Sequence, residues 1–178
     1  MADYLRALSP LGWKAEELAL ATGGSWRGAP VGRIRGAATD SRAVAEGTLF
    51  VALSGSRADG HQFVQEAFSR GAGAAMVERI LPSFASKPLL QVDDTRLALG
   101  RWARWHRERF PVPVVAITGS VGKTTTREMV AAVLRTQKKI LAARENLNSD
   151  VGLPLVLLEM TGDEEAVVLE MAMRGPGQ

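Results

Sequence analysis

Cysteine is absent from this 178-residue chain, which removes disulfides, cysteine–zinc centres and thiol catalysis and suits a reducing interior. No apolar run reaches the roughly 18 residues that a membrane-spanning helix needs, so no membrane span is expected. The opening residues MADYLRALSPLGW carry Asp3 and no long apolar block, which argues against a secretory signal. No internal repeat or low-complexity tract is found, and a cytoplasmic protein is expected.

What is there is a globular composition, 46% hydrophobic and 23% charged, with length enough for a real core and one or two domains. The net charge is +3, and Arg96, Arg101, Arg104, Arg107 and Arg109 crowd one segment. In TRLALGRWARWHRERF, however, Ala98, Trp102 and Trp105 recur at helical spacing. The arginines therefore read as a solvated face opposite inward tryptophans. No binding module accompanies the charge, so no nucleic-acid partner is expected.

The most informative stretch is VVAITGSVGKTTT, residues 114–126. An apolar run leads into glycines, a lysine and threonines that open a helical pattern, which is a strand, a phosphate loop and a helix. Glycines let backbone N–H groups approach phosphate oxygens, and the helix start adds its dipole. Lys123 offers a point charge and Thr124 a hydroxyl for Mg²⁺. The glycine usual six residues before the lysine is replaced by Ile117, so this is the shorter G-x-x-G-K-T form. Gly119, Ser120, Val121, Gly122, Lys123, Thr124 and Thr125 are the candidate ATP-binding residues.

Along the chain, a helix is expected over 14–22, closed by Gly23 and Gly24. A short extended segment follows, then an approach over 32–38 to the polar turn Thr39, Asp40, Ser41, Arg42. Strands are expected over 48–53, 74–77 and 89–92, with helices over 62–70 and 95–110. Pro111 and Pro113 mark a domain boundary. Beyond it come a strand over 114–118, a helix whose apolar stripe is Met129, Val130, Val133 and Leu134, a polar loop over 142–150, a helix over 151–159 and a strand over 166–172 bearing Glu170. Alternating strands and helices predict an α/β fold: a small amino-terminal domain, 1–110, then the start of a P-loop domain with a mainly parallel sheet, 111–178. About three strands and two helices are few for burying such a sheet, so a piece of a longer protein is expected.

The runs TGSVGKTTT, the later NLNSDVGLP and VVLEMAMRGPGQ, and the earlier DSRAVAEGTLFVALSGSRADGHQF, four motifs in the right order along the chain, together resemble the Mur ligase family, from about Leu18 onward. They look most like its dipeptide-adding branch, whose members join D-alanyl-D-alanine to UDP-N-acetylmuramoyl-tripeptide in peptidoglycan synthesis. The resemblance implies an ATP- and Mg²⁺-dependent ligase that forms an acyl phosphate from the γ-phosphoryl group of ATP and the peptide carboxylate. Lys123 would hold the β- and γ-phosphates, Thr124 and Glu170 would ligate metal, and Lys123 and Glu170 form the catalytic pair. Asn146 and Asn148 would lie near the reacting carboxylate. Ser41, Arg42, Asp59, Gly60 and His61 would contact the UDP end, with ordinary polar turns as the competing reading.

Val121 departs from the asparagine common in the family, so that side chain offers no polar contact. The family's carbamylated lysine, a further metal-binding histidine and the third domain would lie beyond Gln178, so these residues alone are expected to be inactive, and monomeric. A sister ligase adding diaminopimelate or lysine, a non-catalytic ATP-binding regulatory module and a nucleic-acid-dependent ATPase are the alternatives. The NLNSDVG and MAMRGPG runs argue for the dipeptide-adding branch.

Overall fold

The computed structural model describes residues 6–30, 32–55, 58–144 and 147–172. Two sheets organise them. The first follows β1 (Arg6–Trp13), α1 (Ala15–Thr22), β2 (Ser25–Arg27), β3 (Ile34–Ala38), β4 (Thr48–Val51), α2 (Val64–Ser69), β5 (Ala74–Val77), β6 (Leu89–Gln91) and α3 (Thr95–Arg107). Its six strands run in the order β1-β3-β4-β5-β6-β2. The inner four are parallel, while β1 and β2 close the edges antiparallel.

Alternation along the inner strands divides the core. Leu49, Val51, Ala74 and Met76 point to one face, where Trp13, Leu18, Leu99 and Trp102 cover them. Phe50, Ala75 and Val77 point to the other, against Val64, Ala67 and Phe84. Two-sided burial is why these strands read as continuous apolar runs.

The second sheet comes from β7 (Val114–Ile117), α4 (Lys123–Arg135), β8 (Ile140–Ala142), α5 (Gly152–Leu158) and β9 (Ala166–Glu170). It is parallel throughout, in the order β7-β9-β8. Helix α5 is shared: Val156 packs with Val167 and Leu169 of this sheet, while Leu155 and Leu158 enter the core of the first.

Several expectations are corrected. Helix α3 stops at Arg107, whose guanidinium reaches forward to donate to the carbonyls of Phe110 and Val112, at 2.7 and 2.9 Å. Arg107 is thus a C-terminal clamp rather than part of a solvated face. On α4, Met129 and Val133 are 66% and 69% exposed, while Arg127 and Ala131 face the sheet and Val130 and Leu134 are half-buried. The apolar stripe is rotated by one position from the expected one. Strand β8 precedes the loop expected over 142–150, and Ala143 and Leu147 of that loop are buried.

Candidate functional site

Strands β7 and β9 are parallel neighbours with Ile117 opposite Glu170. Both therefore end at the same rim, where α4 begins. The carboxyl ends of parallel strands are where open α/β sheets hold ligands. Gly122 caps α4 at φ 78°, a left-handed conformation that L side chains rarely adopt, and a Cβ there would meet nothing within 4 Å. Backbone conformation rather than space calls for glycine at this turn. Lys123 folds over the loop and donates from Nζ to the Gly119 carbonyl at 2.7 Å.

Glu170 is the centre of the rim. Thr124 Oγ1 donates to its Oε2 at 2.8 Å, and Asn148 Nδ2 donates to its Oε1 at 2.8 Å. Arg127 Nη1 lies 3.6 Å from Oε2. Burial alone would push this carboxyl up, but the Asn148 and Thr124 hydrogen bonds and the Arg127 and Lys123 charges outweigh it and hold the group below its ordinary range. The loop carrying Asn148 is fixed from two sides. Its carbonyl accepts from Ala172 N at 2.9 Å, and a Cβ on Gly152 would come within 2.7 Å of Leu147 Cα, so only glycine permits this packing.

A groove of about 490 Å³ runs between Ser120, Val121, Gly122, Lys123, Thr124 and Thr125 on one side and Asn148, Glu170 and Ala172 on the other. It shares Ser120, Lys123 and Ala172 with an adjoining groove of about 440 Å³ that reaches Gly119. Val121 is 92% exposed and offers the groove its backbone. Asn146 lies outside the described residues.

The second candidate site is a cavity of about 420 Å³ lined by Thr39, Asp40, Ser41, Arg42, Phe50, Phe63 and Glu66. Asp40 caps the 3-10 turn Ser41–Ala43, accepting from Arg42 N at 2.8 Å. The Arg42 side chain forks onto the same carboxylate at 2.6 to 3.2 Å, and that hydrogen bonding, before any other influence, holds Asp40 below its usual range. Ser41 is buried and donates to Glu66 at 2.9 Å. Arg42 keeps its side chain 72% exposed at the mouth.

Asp59, Gly60 and His61 are not in that lining. His61 Nε2 accepts from Glu78 N at 3.0 Å, so the ring proton sits on Nδ1 and is donated to Asp59 at 2.7 Å. The imidazole is buried and both nitrogens are engaged. Asp59 also pairs with Arg79. Gly60 abuts the Leu53 backbone, 2.6 Å from where a Cβ would stand. His61 pins this turn to Glu78, the residue that follows β5, and the turn's exposed contribution to the cavity is Phe63.

Phe50, Phe63, Glu66 and Arg127 were not singled out by the sequence. An aromatic after a helix-opening Asp-Gly reads as core, and an arginine two places after GKTT reads as helix surface.

Residues 33–107 match the model "Mur ligase family, catalytic domain", and residues 117–178 match "Mur ligase middle domain". The chain belongs to the Mur ligase family. Among relatives of this Mur ligase chain, the UDP-N-acetylmuramoyl-tripeptide--D-alanyl-D-alanine ligase of Escherichia coli is 44% identical over 79% of the chain and 30% of the relative. The Bacillus subtilis protein of that name is 40% identical over 82% and 32%. A crystal structure of MurF from Acinetobacter baumannii superposes with TM-score 0.88 at 40% identity, covering 93% of this chain and 37% of that one. MurF ligase from Thermotoga maritima, in complex with ADP, gives 0.70 at 38% identity, covering 79% and 33%. The chain thus spans about a third of the length of these relatives. Among the described residues, no helix is long and apolar enough to cross a membrane.

Proposed function

We propose that this chain supplies the UDP-substrate-holding part, 1–110, and the first part of the ATP-binding unit, 111–178, of a ligase that joins D-alanyl-D-alanine to UDP-N-acetylmuramoyl-tripeptide. The names of the relatives favour this dipeptide-adding reaction over a sister ligase. Two separate sheets and the break between the two matched stretches support the division. The observation that carries the reading is the Thr124–Glu170–Asn148 hydrogen-bond set at the mouth of the phosphate loop.

The chemistry follows from charge and position. Phosphoryl transfer from ATP to a carboxylate needs positioning and neutralisation more than a protein nucleophile. The loop N–H groups and the α4 start cradle phosphates, and Lys123, released from the Gly119 carbonyl, swings to the β- and γ-oxygens. Thr124 and Glu170, hard oxygen donors 2.8 Å apart, fit Mg²⁺. When bound, that ion would neutralise phosphate charge as a Lewis acid. Asn148 fixes the Glu170 carboxylate and leaves the loop side of the groove open. The acyl phosphate is then attacked by the dipeptide amine, and phosphate leaves. The protein acts as a cytoplasmic monomer and, restricted to these residues, does not turn over.

At the other site, Arg42 turns to pyrophosphate the guanidinium donors that its Asp40 pair leaves free, and the half-exposed Phe63 offers a surface for the uracil ring. Calorimetric titration with UDP-N-acetylmuramoyl-tripeptide, beside Arg42→Ala and a UDP-only control, tests this. Saturable heat lost in the variant supports it, and equal heat from both overturns the Arg42 assignment.

A further inference from the structure

Arg127 has no place in the reaction described above, and its surroundings are unusual. The side chain is 2% exposed, one turn along α4 from Thr124, in a position where the helix otherwise presents Ala131 to the sheet. Its Nη2 pairs with Glu128, which is more than half exposed, so that partner is shared with solvent. Its Nε has no hydrogen-bond partner among the described residues. A guanidinium carries five donors, and a buried charge with donors unspent is costly unless an opposite charge lies near. The buried opposite charge here is Glu170, 3.6 Å from Nη1. That separation is too long for a hydrogen bond. Thr124 and Asn148 give Glu170 its direction, and Arg127 gives it a counter-charge.

The charges at the groove and directly behind Glu170 then add to a simple imbalance. Lys123 and Arg127 stand against Glu170, with Glu128 turned outward. A divalent cation arriving alone meets two positive side chains and one carboxylate already neutralised by its neighbour. A cation arriving on a nucleotide brings several negative charges that satisfy Lys123 and the loop N–H groups at the same time.

We propose that Arg127 is a positioning residue that makes metal binding at Glu170 conditional on nucleotide: it holds the carboxylate compensated, and the site closed to free divalent cations, until phosphates enter. The proposal rests on the reading of Glu170 as a metal ligand. It is a coupling between two ligands in one groove, and such coupling is reciprocal, so the cation should strengthen nucleotide binding by the factor that nucleotide strengthens cation binding.

The test is Mn²⁺ binding, read by the loss of the free-ion paramagnetic resonance signal, to the parent protein, Arg127→Gln, Arg127→Lys and Arg127→Gln combined with Glu170→Gln. Metal is supplied alone and with ADP. The expected result is that Arg127→Gln takes up Mn²⁺ alone at least about tenfold more tightly than the parent, that Arg127→Lys behaves as the parent, and that adding Glu170→Gln abolishes the gain. A purely structural arginine would lower stability in Arg127→Gln without raising metal affinity, and that outcome overturns the proposal. Should Arg127→Gln fail to fold, the parent decides: Mn²⁺ uptake without ADP as tight as with it, and lost in Glu170→Gln, overturns the proposal. Failure of the metal-ligand reading is seen separately, as Mn²⁺–ADP binding that Glu170→Gln leaves unchanged.

Discussion

Trp13 donates its indole N–H to His106 Nδ1 at 3.1 Å, across 93 residues of chain. Because Nδ1 accepts, the proton sits on Nε2, which donates to the Met160 carbonyl at 2.9 Å. One buried neutral imidazole thus joins β1, α3 and the residue two beyond α5, and its ring also meets Trp13 and Phe110 edge to face at 5.0 and 5.1 Å. Replacing His106 by Ala would leave both partners unsatisfied beside a cavity. A loss of about 2–4 kcal/mol in urea unfolding is expected.

The same residue gives a pH dependence. Burial first, with Arg109 adding to it, pushes the His106 pKa below its ordinary value, against the opposing pull of the Met160 hydrogen bond and Glu164. The unfolded chain therefore binds the proton more readily. The stability from neutral His106 is complete above the unfolded value of about 6.5 and is lost as pH falls below it toward the folded value. Melting curves of the parent should drop between pH 7 and 5 more steeply than those of His106→Gln. Parallel curves would remove His106 from the account.

Glu170→Gln should act on two properties at once. It strips the buried Arg127 of its counter-charge, a loss on the order of 3 kcal/mol of stability. It should also weaken Mg²⁺-dependent ADP binding by about 30-fold or more while leaving metal-free ADP binding nearly unchanged. Thermal melting and calorimetry with and without Mg²⁺ check the two separately.

Arg42→Ala should do the opposite. Its side chain is mostly in solvent and its partner is two residues away, so the melting temperature should not move. Affinity for the UDP-linked substrate should fall about tenfold or more, as expected for a lost charge-assisted contact to pyrophosphate. A variant that melts early would point to Asp40 and its turn instead.

Two glycines separate conformation from space. Gly122→Ala meets no atom and suffers only the left-handed backbone, a cost of about 1 kcal/mol. Gly152→Ala drives a methyl into the Leu147 backbone, should cost about 1–3 kcal/mol, and should displace Asn148 from Glu170. Gly122→Asn, which tolerates the left-handed conformation, should recover part of the first loss and no analogous change should recover the second.

The sequence exposed what is local and repetitive. Strand β5 falls on residues 74–77 as expected, because an apolar run between Gly73 and a charged turn has one reading. The phosphate loop was legible because its chemistry demands fixed residue types at fixed spacing. What was hidden depends on distant partners. Three residues of β8 carry no period, and only pairing with β9 makes them a strand. Met129 and Val133 look like core by composition, but the face of α4 that meets the sheet is set by where β9 lies. Arg127 was hidden for the same reason. Polar residues read as surface until a buried acid or amide, far off in sequence, is found beside them.

Helix α5 sends Leu155 and Leu158 into one core and Val156 into the other, and Arg96 reaches from α3 to Asp150 at 2.9 Å just ahead of it. The prolines near residue 111 therefore mark a seam in topology but not in cooperativity. Proteolytic nicking there would leave each half with a greasy wound where the other had been, and heating the intact chain should give a single calorimetric transition, with the two sheets melting as one.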